Sequence, residues 1–143
     1  MGCVKGNYKW KGLGMEFNTQ VCTTREQSER LFALGLKKDT ADMCLDDVLG
    51  EDTWIPIAVC AVFRSQVPAW SLCRLMELCP KSIFLEDYPE TIYYFTIDPY
   101  MVTYEKEDMG TLKRCERGNV FDRMVDMVEW LIKNNHFNKE YLE

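Results

Sequence analysis

Seven cysteines, one histidine and 23 acidic residues are the groups in this 143-residue chain most able to do chemistry. The cysteines, at 3, 22, 44, 60, 73, 79 and 115, contain no Cys-x-x-Cys pair, and only His136 could complete a zinc set with them. The spacings that mark a structural zinc are therefore missing. Cys73 and Cys79 stand six apart, on different faces of any helix. Cys60 lies in the apolar run Ile57–Phe63, and Cys73 and Cys79 accompany Leu72–Leu78, where a thiol behaves as a small hydrophobe. An odd set of unpaired, mostly buried thiols is expected of a reducing cytoplasm. His136 follows a helical stretch among polar neighbours, and no catalytic signature surrounds it. It is expected to serve the end of that helix rather than catalysis.

The acids are unevenly spread. Asp39, Asp42, Asp46, Asp47, Glu51 and Asp52 fall within fourteen positions that hold no base. As a calcium loop the segment fails, because Asp39–Cys44 lacks the third, fifth and sixth residues of the EF-hand pattern. No metal and no cofactor is expected. Two readings remain for the six carboxylates: a solvated surface, or a docking face for a basic protein. From Glu86 to Asp108 seven more acids meet only Lys106, followed by a small cationic stretch of Lys113, Arg114 and Arg117 around Glu116. Phosphate loops of the GxGxxG and GxxxxGK[ST] types, GxSxG and HExxH are all absent, so no catalytic residue is assigned and binding is favoured over catalysis.

Aromatic residues form the third constellation. Tyr88, Tyr93, Tyr94, Phe95, Tyr100 and Tyr104 occupy seventeen positions. In an extended Ile92–Ile97, Ile92, Tyr94 and Thr96 face one way and Tyr93, Phe95 and Ile97 the other. Such a sheet either pairs its aromatics internally or offers Tyr93, Tyr94, Tyr100 and Tyr104 to a partner or to a second copy of the chain. Stacking of nucleic-acid bases would need a flanking cationic groove, and the neighbours here are acidic.

These groups need elements to position them. Thr23 and Thr24 can each cap a helix over about Arg25–Leu34, with Gly35 ending it. Lys37–Asp52 reads as an acidic loop with a short helical turn after Thr40. Trp54–Phe63 suits a strand whose start Pro56 weakens, and a second helix runs from Pro68 or Ser71 to Leu78. Ile83–Glu86, Ile92–Ile97, Met101–Glu105 and a short Thr111–Cys115 then alternate with turns at Asp87–Glu90 and Asp98-Pro99. A helix from Val120 to about Asn134, capped by Asn119, carries Phe121, Met124, Val125, Val128, Leu131 and Ile132 on one side. The expected fold class is α+β: one small domain over 15–143, with a three- to four-stranded antiparallel meander packed by about three helices, the last amphipathic.

Net charge is -6, and because residues 1–14 hold three lysines and no acid, -9 falls on the remainder. Duplex nucleic acid and anionic membranes are poor partners for that body. The longest apolar run, Trp54–Phe63, is half of the ~20 residues that a spanning helix needs. Met1-Gly2-Cys3 approaches an acylation signal but has Gly6 where Ser or Thr is required, so residues 1–14 are expected to be a flexible basic lead-in.

Three stretches carry a resemblance. They are Thr24-x-x-Gln27-Ser28-Glu29-x-Leu31-x-x-Leu34-Gly35 leading to Thr40-Ala41-Asp42-Met43, then Pro68-Ala69-Trp70-Ser71-Leu72-x-x-Leu75, and Trp130-Leu131-Ile132-Lys133-Asn134 with Tyr141-Leu142. Together, over about Phe17 to Leu142, they resemble a family of small proteins from conjugative elements and prophages of gut-dwelling anaerobic bacteria. The resemblance implies a cytoplasmic accessory protein of a mobile element and supplies no activity or site residue. The expected function is binding of another protein through the acidic or aromatic surface. An acidic inhibitor of a nucleic-acid-binding enzyme is the alternative, and a small thiol- or carboxylate-dependent enzyme the third.

Overall fold

The computed structural model describes residues 7–8, 17–47, 54–58, 66–108 and 110–143. In chain order the elements are β1 (Asn7–Tyr8), β2 (Phe17–Asn18), α1 (Arg25–Ala33), β3 (Met43–Asp47), β4 (Trp54–Ala58), β5 (Gln66–Ala69), α2 (Leu72–Leu78), β6 (Ser82–Leu85), β7 (Tyr88–Ile97), β8 (Val102–Glu105), β9 (Thr111–Cys115) and α3 (Val120–Lys133). All pairings are antiparallel, in sheets ordered β1-β2, β4-β3-β5 and β6-β7-β8-β9. The fold is α+β, as expected, with a four-stranded meander. Asn7–Tyr8, within the expected lead-in, pairs with Phe17–Asn18.

Helix ends are set by local chemistry. The Thr24 side chain accepts from the Gln27 backbone N–H and the Gln27 side chain accepts from the Thr24 N–H, a reciprocal cap at the start of α1. At the other end Gly35 takes φ +91, its N–H donates to the Phe32 carbonyl at 2.9 Å, and the Leu36 N–H donates to Leu31 at 3.2 Å. Buried Leu31 and Leu36 then complete the hydrophobic contact of this glycine-terminated motif. α3 repeats the scheme, with Asn119 and Asp122 as its reciprocal cap and Asn135 at φ 59 beyond its end. There the His136 backbone N–H donates to Leu131 at 2.9 Å.

Two expectations fail around the first acid cluster: the loop, and the helical turn after Thr40, which instead lies at Lys38–Thr40, while of the two starts expected for the second helix Ser71 is the one found. The anticipated loop contains β3, because Cys44 and Leu45 are buried between two flanking strands. Its apolar part is only Met43–Leu45, too short for alternation to register against the acids around it. Pro68 begins no helix; it lies in β5 opposite Cys44, and α2 starts after Ser71, whose side chain accepts from the Arg74 N–H. β4 and β5 are the edges of their sheet, where Pro56 and Pro68 sacrifice no interior hydrogen bond. The expected strand residues 59–63 lie outside the described set.

The core forms where α3 and α2 cover one face of the meander. Phe121, Met124, Val125, Val128 and Leu131 of α3 are buried with Trp70, Leu75, Leu78, Ile83, Val102 and Tyr104. Each such side chain contributes about 1.5–3 kcal/mol of transfer free energy. Trp70 is fully enclosed, its indole N–H donating to Thr40 Oγ1 at 2.9 Å and its backbone N–H to Thr23 Oγ1 at 3.0 Å.

Candidate functional site

The described helices lie against one face of the meander and not the other, and the register assigns residues to each. Tyr93, Phe95 and Ile97 pack on the core, with Ile83 opposite Tyr93 and Tyr104 opposite Phe95. Phe95 and Tyr104 meet edge-to-face at 5.5 Å between ring centres. Tyr104 is therefore not a surface residue: it is completely buried, its hydroxyl donates to the Pro80 carbonyl at 2.6 Å, and burial pushes its phenol pKa up. Its strand hides Val102, Thr103 and Tyr104 in succession, which erases the two-residue alternation on which sequence reasoning depends.

The other face carries the exposed apolar groups. Phe84 pairs with Ile92 and Ser82 with Tyr94, which places Phe84, Ile92 and Tyr94 side by side, with Phe84 59% and Tyr94 44% exposed. Tyr88, 66% exposed, stands at the tip of the β6–β7 hairpin, opposite Leu85 across a register shift. Tyr100 is also exposed but sits on the β7–β8 turn, at the opposite end of β7. That turn is tied by Asp98 Oδ1, which accepts from the Tyr100 and Met101 N–H groups at 2.7 and 2.9 Å. Of the four tyrosines named from sequence, only Tyr94 joins this patch.

Acids border it. A shallow cavity of about 250 Å³ is lined by Ile92 and Tyr94 and by Glu90, Glu107 and Asp108, with Lys106 the one base. Glu86 and Asp87 form the adjoining hairpin tip. No described residue forms an ion pair with any of these five carboxylates. An aromatic ring beside unneutralised carboxylates is a receptor for a cationic side chain, attracted by both the charges and the ring face. In the sequence Ile92 shares the face of Tyr94, and Glu90, Glu107 and Asp108 belong to the second acid run, but none of these is named there as a binding residue, and Phe84 has no place in that reading. Their signal is the period-two pattern of Ser82–Leu85 read against that of β7, but only the register reveals it.

The four described members of the first acid cluster do not share one surface. Asp39 is exposed on a 3-10 turn at Lys38–Thr40. Asp42 is occupied, accepting from the Ser71 backbone N–H at 2.8 Å and from its hydroxyl at 2.5 Å, and so braces the start of α2. Asp46 and Asp47 are consecutive on β3 and point to opposite sides of the sheet. Glu51 and Asp52 lie outside the described residues.

Among the described cysteines thiol chemistry has little support. Cys22, Cys44, Cys79 and Cys115 are buried and unbridged, and Cys73 alone among the described cysteines is exposed. Burial, reinforced by Asp42 and Cys44, pushes the Cys22 pKa up to about 12; burial and Cys115 do the same to Cys79. Such thiols stay protonated and unreactive at neutral pH. His136 lays its ring on Trp130 at 5.4 Å between centres, so it reaches the helix end through its backbone and not its side chain. Among the described residues no group of three His, Cys, Asp or Glu side chains gathers as a metal site, and no helix is long and apolar enough to cross a membrane.

Compared with known proteins, the chain matches no family model, and neither a curated protein nor a solved structure shows significant similarity to it. The site is therefore read from its own geometry.

Proposed function

We propose that this chain is a protein-binding module that docks a basic partner on the outer face of the β6–β9 meander. The observation that carries the reading is the patch of Phe84, Ile92 and Tyr94 lying directly against Glu90, Glu107 and Asp108. The rings supply contact area at small entropic cost, while the carboxylates steer and select a cationic surface. Asp39, Asp46, Asp47 and Tyr100 are peripheral to this docking, and Asp42 and Tyr104 are structural. The narrower form, an acidic inhibitor covering the basic groove of a nucleic-acid-binding enzyme, draws its support from the same five carboxylates. The family resemblance adds the setting, an accessory protein of a bacterial mobile element working in the cytoplasm.

The test is affinity purification from the native host with three baits: wild type, Phe84→Ser/Tyr94→Ser, and Glu90→Gln/Glu107→Gln/Asp108→Asn. A stoichiometric basic protein should come with the wild type alone, and its recovery should fall steeply with salt. Recovery that all three baits share, or that salt leaves unchanged, overturns the assignment. Sedimentation of the purified protein decides against a foreign partner if it reveals a dimer that Phe84→Ser/Tyr94→Ser abolishes.

A further inference from the structure

The molecule also holds a concavity of the opposite sign. A cavity of about 550 Å³ opens between β9, the loop that follows it and the flank of α3, with Arg30 reaching in from α1. Its five bases are Arg30, Lys113, Arg114, Arg117 and Lys133, against Glu116, Asp126 and Glu129. The acids are largely spent on three of those bases. Arg30 bridges Asp126 at 2.8 Å and also bonds Glu129; Lys133 reaches Glu129 at 2.5 Å; Arg114 leans on Glu116 at 3.4 Å. Lys113 and Arg117 are left without an acid partner among the described residues, so the cavity carries two uncompensated positive charges on a chain whose net charge is -6.

That imbalance has a direction. Surplus cations set around one concavity repel each other unless an anion joins them, and a guanidinium beside an ammonium matches the oxygens of a phosphate. Lys113 shares the core-side face of β9 with Cys115, which turns it toward α3 and not toward the outer sheet surface. Arg117 comes from the loop leading into the first turn of α3, while Trp130, Lys133 and Asn134 bring the last turn of that helix to the same cavity, where the Lys133 ammonium offsets its negative end. At that end the Trp130 carbonyl is already taken by the Asn134 N–H at 3.0 Å and its side-chain amide at 2.8 Å. The volume lies within the ~300–1,000 Å³ of small-ligand sites.

We propose that the cleft between β9 and α3 binds a small phosphorylated ligand, with Lys113 and Arg117 holding the phosphate and the Arg30–Asp126–Glu129–Lys133 network fixing the opposite wall. The site stands apart from the outer sheet face, and neither assignment depends on the other. Its test is a ¹H–¹⁵N NMR titration of the full chain with inorganic phosphate, pyrophosphate and a nucleoside diphosphate, following the Trp130 indole and the backbone amides of 113–117. A saturable response centred there is expected, weakened about 5- to 10-fold by Lys113→Gln or Arg117→Gln, each replacing one charge-assisted contact. Lys38→Gln, on a remote exposed turn, should leave it unchanged. Equal affinity for pyrophosphate and the nucleoside diphosphate would identify the phosphates as all that is read; tighter binding of the latter would add an organic moiety on the cavity wall. A response that never saturates, that spreads over basic residues everywhere, or that survives both substitutions overturns the site.

Discussion

Gln27 and Asp122 each close the cap of their own helix, and they also bond each other: Gln27 Nε2 donates to Asp122 Oδ1 at 2.6 Å. Gln20 completes a ring, donating to Gln27 Oε1 at 2.8 Å and accepting from the Asn119 amide at 2.9 Å. The beginnings of α1 and α3 should therefore be energetically coupled. Asp122→Ala removes a capping partner and a charge at a helix N-terminus, each worth about 0.5–1 kcal/mol. It also strands the amide of buried Gln27, at about 1–3 kcal/mol, so a total of about 2–5 kcal/mol is expected. Gln27→Ala should cost about 1–2 kcal/mol. In the double variant the shared bond can be lost only once, so the combined cost should fall short of the sum by about 1 kcal/mol. Urea unfolding followed by far-UV circular dichroism at pH 7 measures all three, with the slope held constant as a check on the unfolded state. Additivity within about 0.3 kcal/mol would refute the reasoning, showing two caps that merely touch.

Gly118 sits at φ +72, where an added Cβ would lie 2.2 Å from Asp122 Oδ2, so Gly118→Ala should cost at least about 2 kcal/mol by the same assay. At Gly35, φ +91 with open space around it, Gly35→Asn should cost less than Gly35→Ala, since asparagine tolerates the left-handed region. Bonds from Lys133 and Arg30 hold the Glu129 carboxyl below its ordinary pKa. Its contribution to stability is thus complete above the usual carboxylate range and is lost as pH falls through the lower folded value; Glu129→Gln should flatten that part of the stability–pH curve, and an unchanged curve would count against the triad. Mass spectrometry after brief alkylation at pH 8 should label Cys73 well before Cys22 and Cys79. Because those two thiols are raised to about 12, stability should decline as pH climbs from about 9 toward 12, which alkaline melts can check.

What the sequence disclosed is what neighbouring residues decide. Thr24 with Gln27, Ser71, Asn119 with Asp122 and Gly35 all act within one turn of chain, and their roles were readable before any fold was known. The alternation in Ile92–Ile97 likewise separated Tyr94 from Tyr93 and Phe95, though not which side met the helices. β3 escaped notice because its partners lie in 54–58 and 66–69, and pairing across such gaps leaves no local trace. For the same reason, the acid density of 39–52 drew attention to a cluster whose described members, 39–47, the fold scatters, while the carboxylates that do converge come from the start of β7 and the β8–β9 hairpin. Arg30 and Lys133 could not be linked to Lys113 and Arg117 without the packing of α1 and α3 beside β9.

Residues 140–143 are stitched to the end of α1: Leu36 bridges Leu142, the Lys37 N–H donates to Tyr141 at 2.9 Å, and the Glu143 N–H donates to Gly35 at 2.9 Å. Lys37 Nζ adds a bond to the Glu140 carbonyl, 103 positions away. α1, the first helix among the described residues, thus waits on residues 140–143 for its closing contacts. During translation α1 must remain only partly anchored until residues 140–143 have left the ribosome, so this corner of the fold should close late relative to the local contacts of α1 itself. The same stitch makes the late segment a timing device: a nascent chain stalled short of residue 140 should remain sensitive to protease at Gly35–Lys37, and one extended by a spacer beyond Glu143 should become resistant.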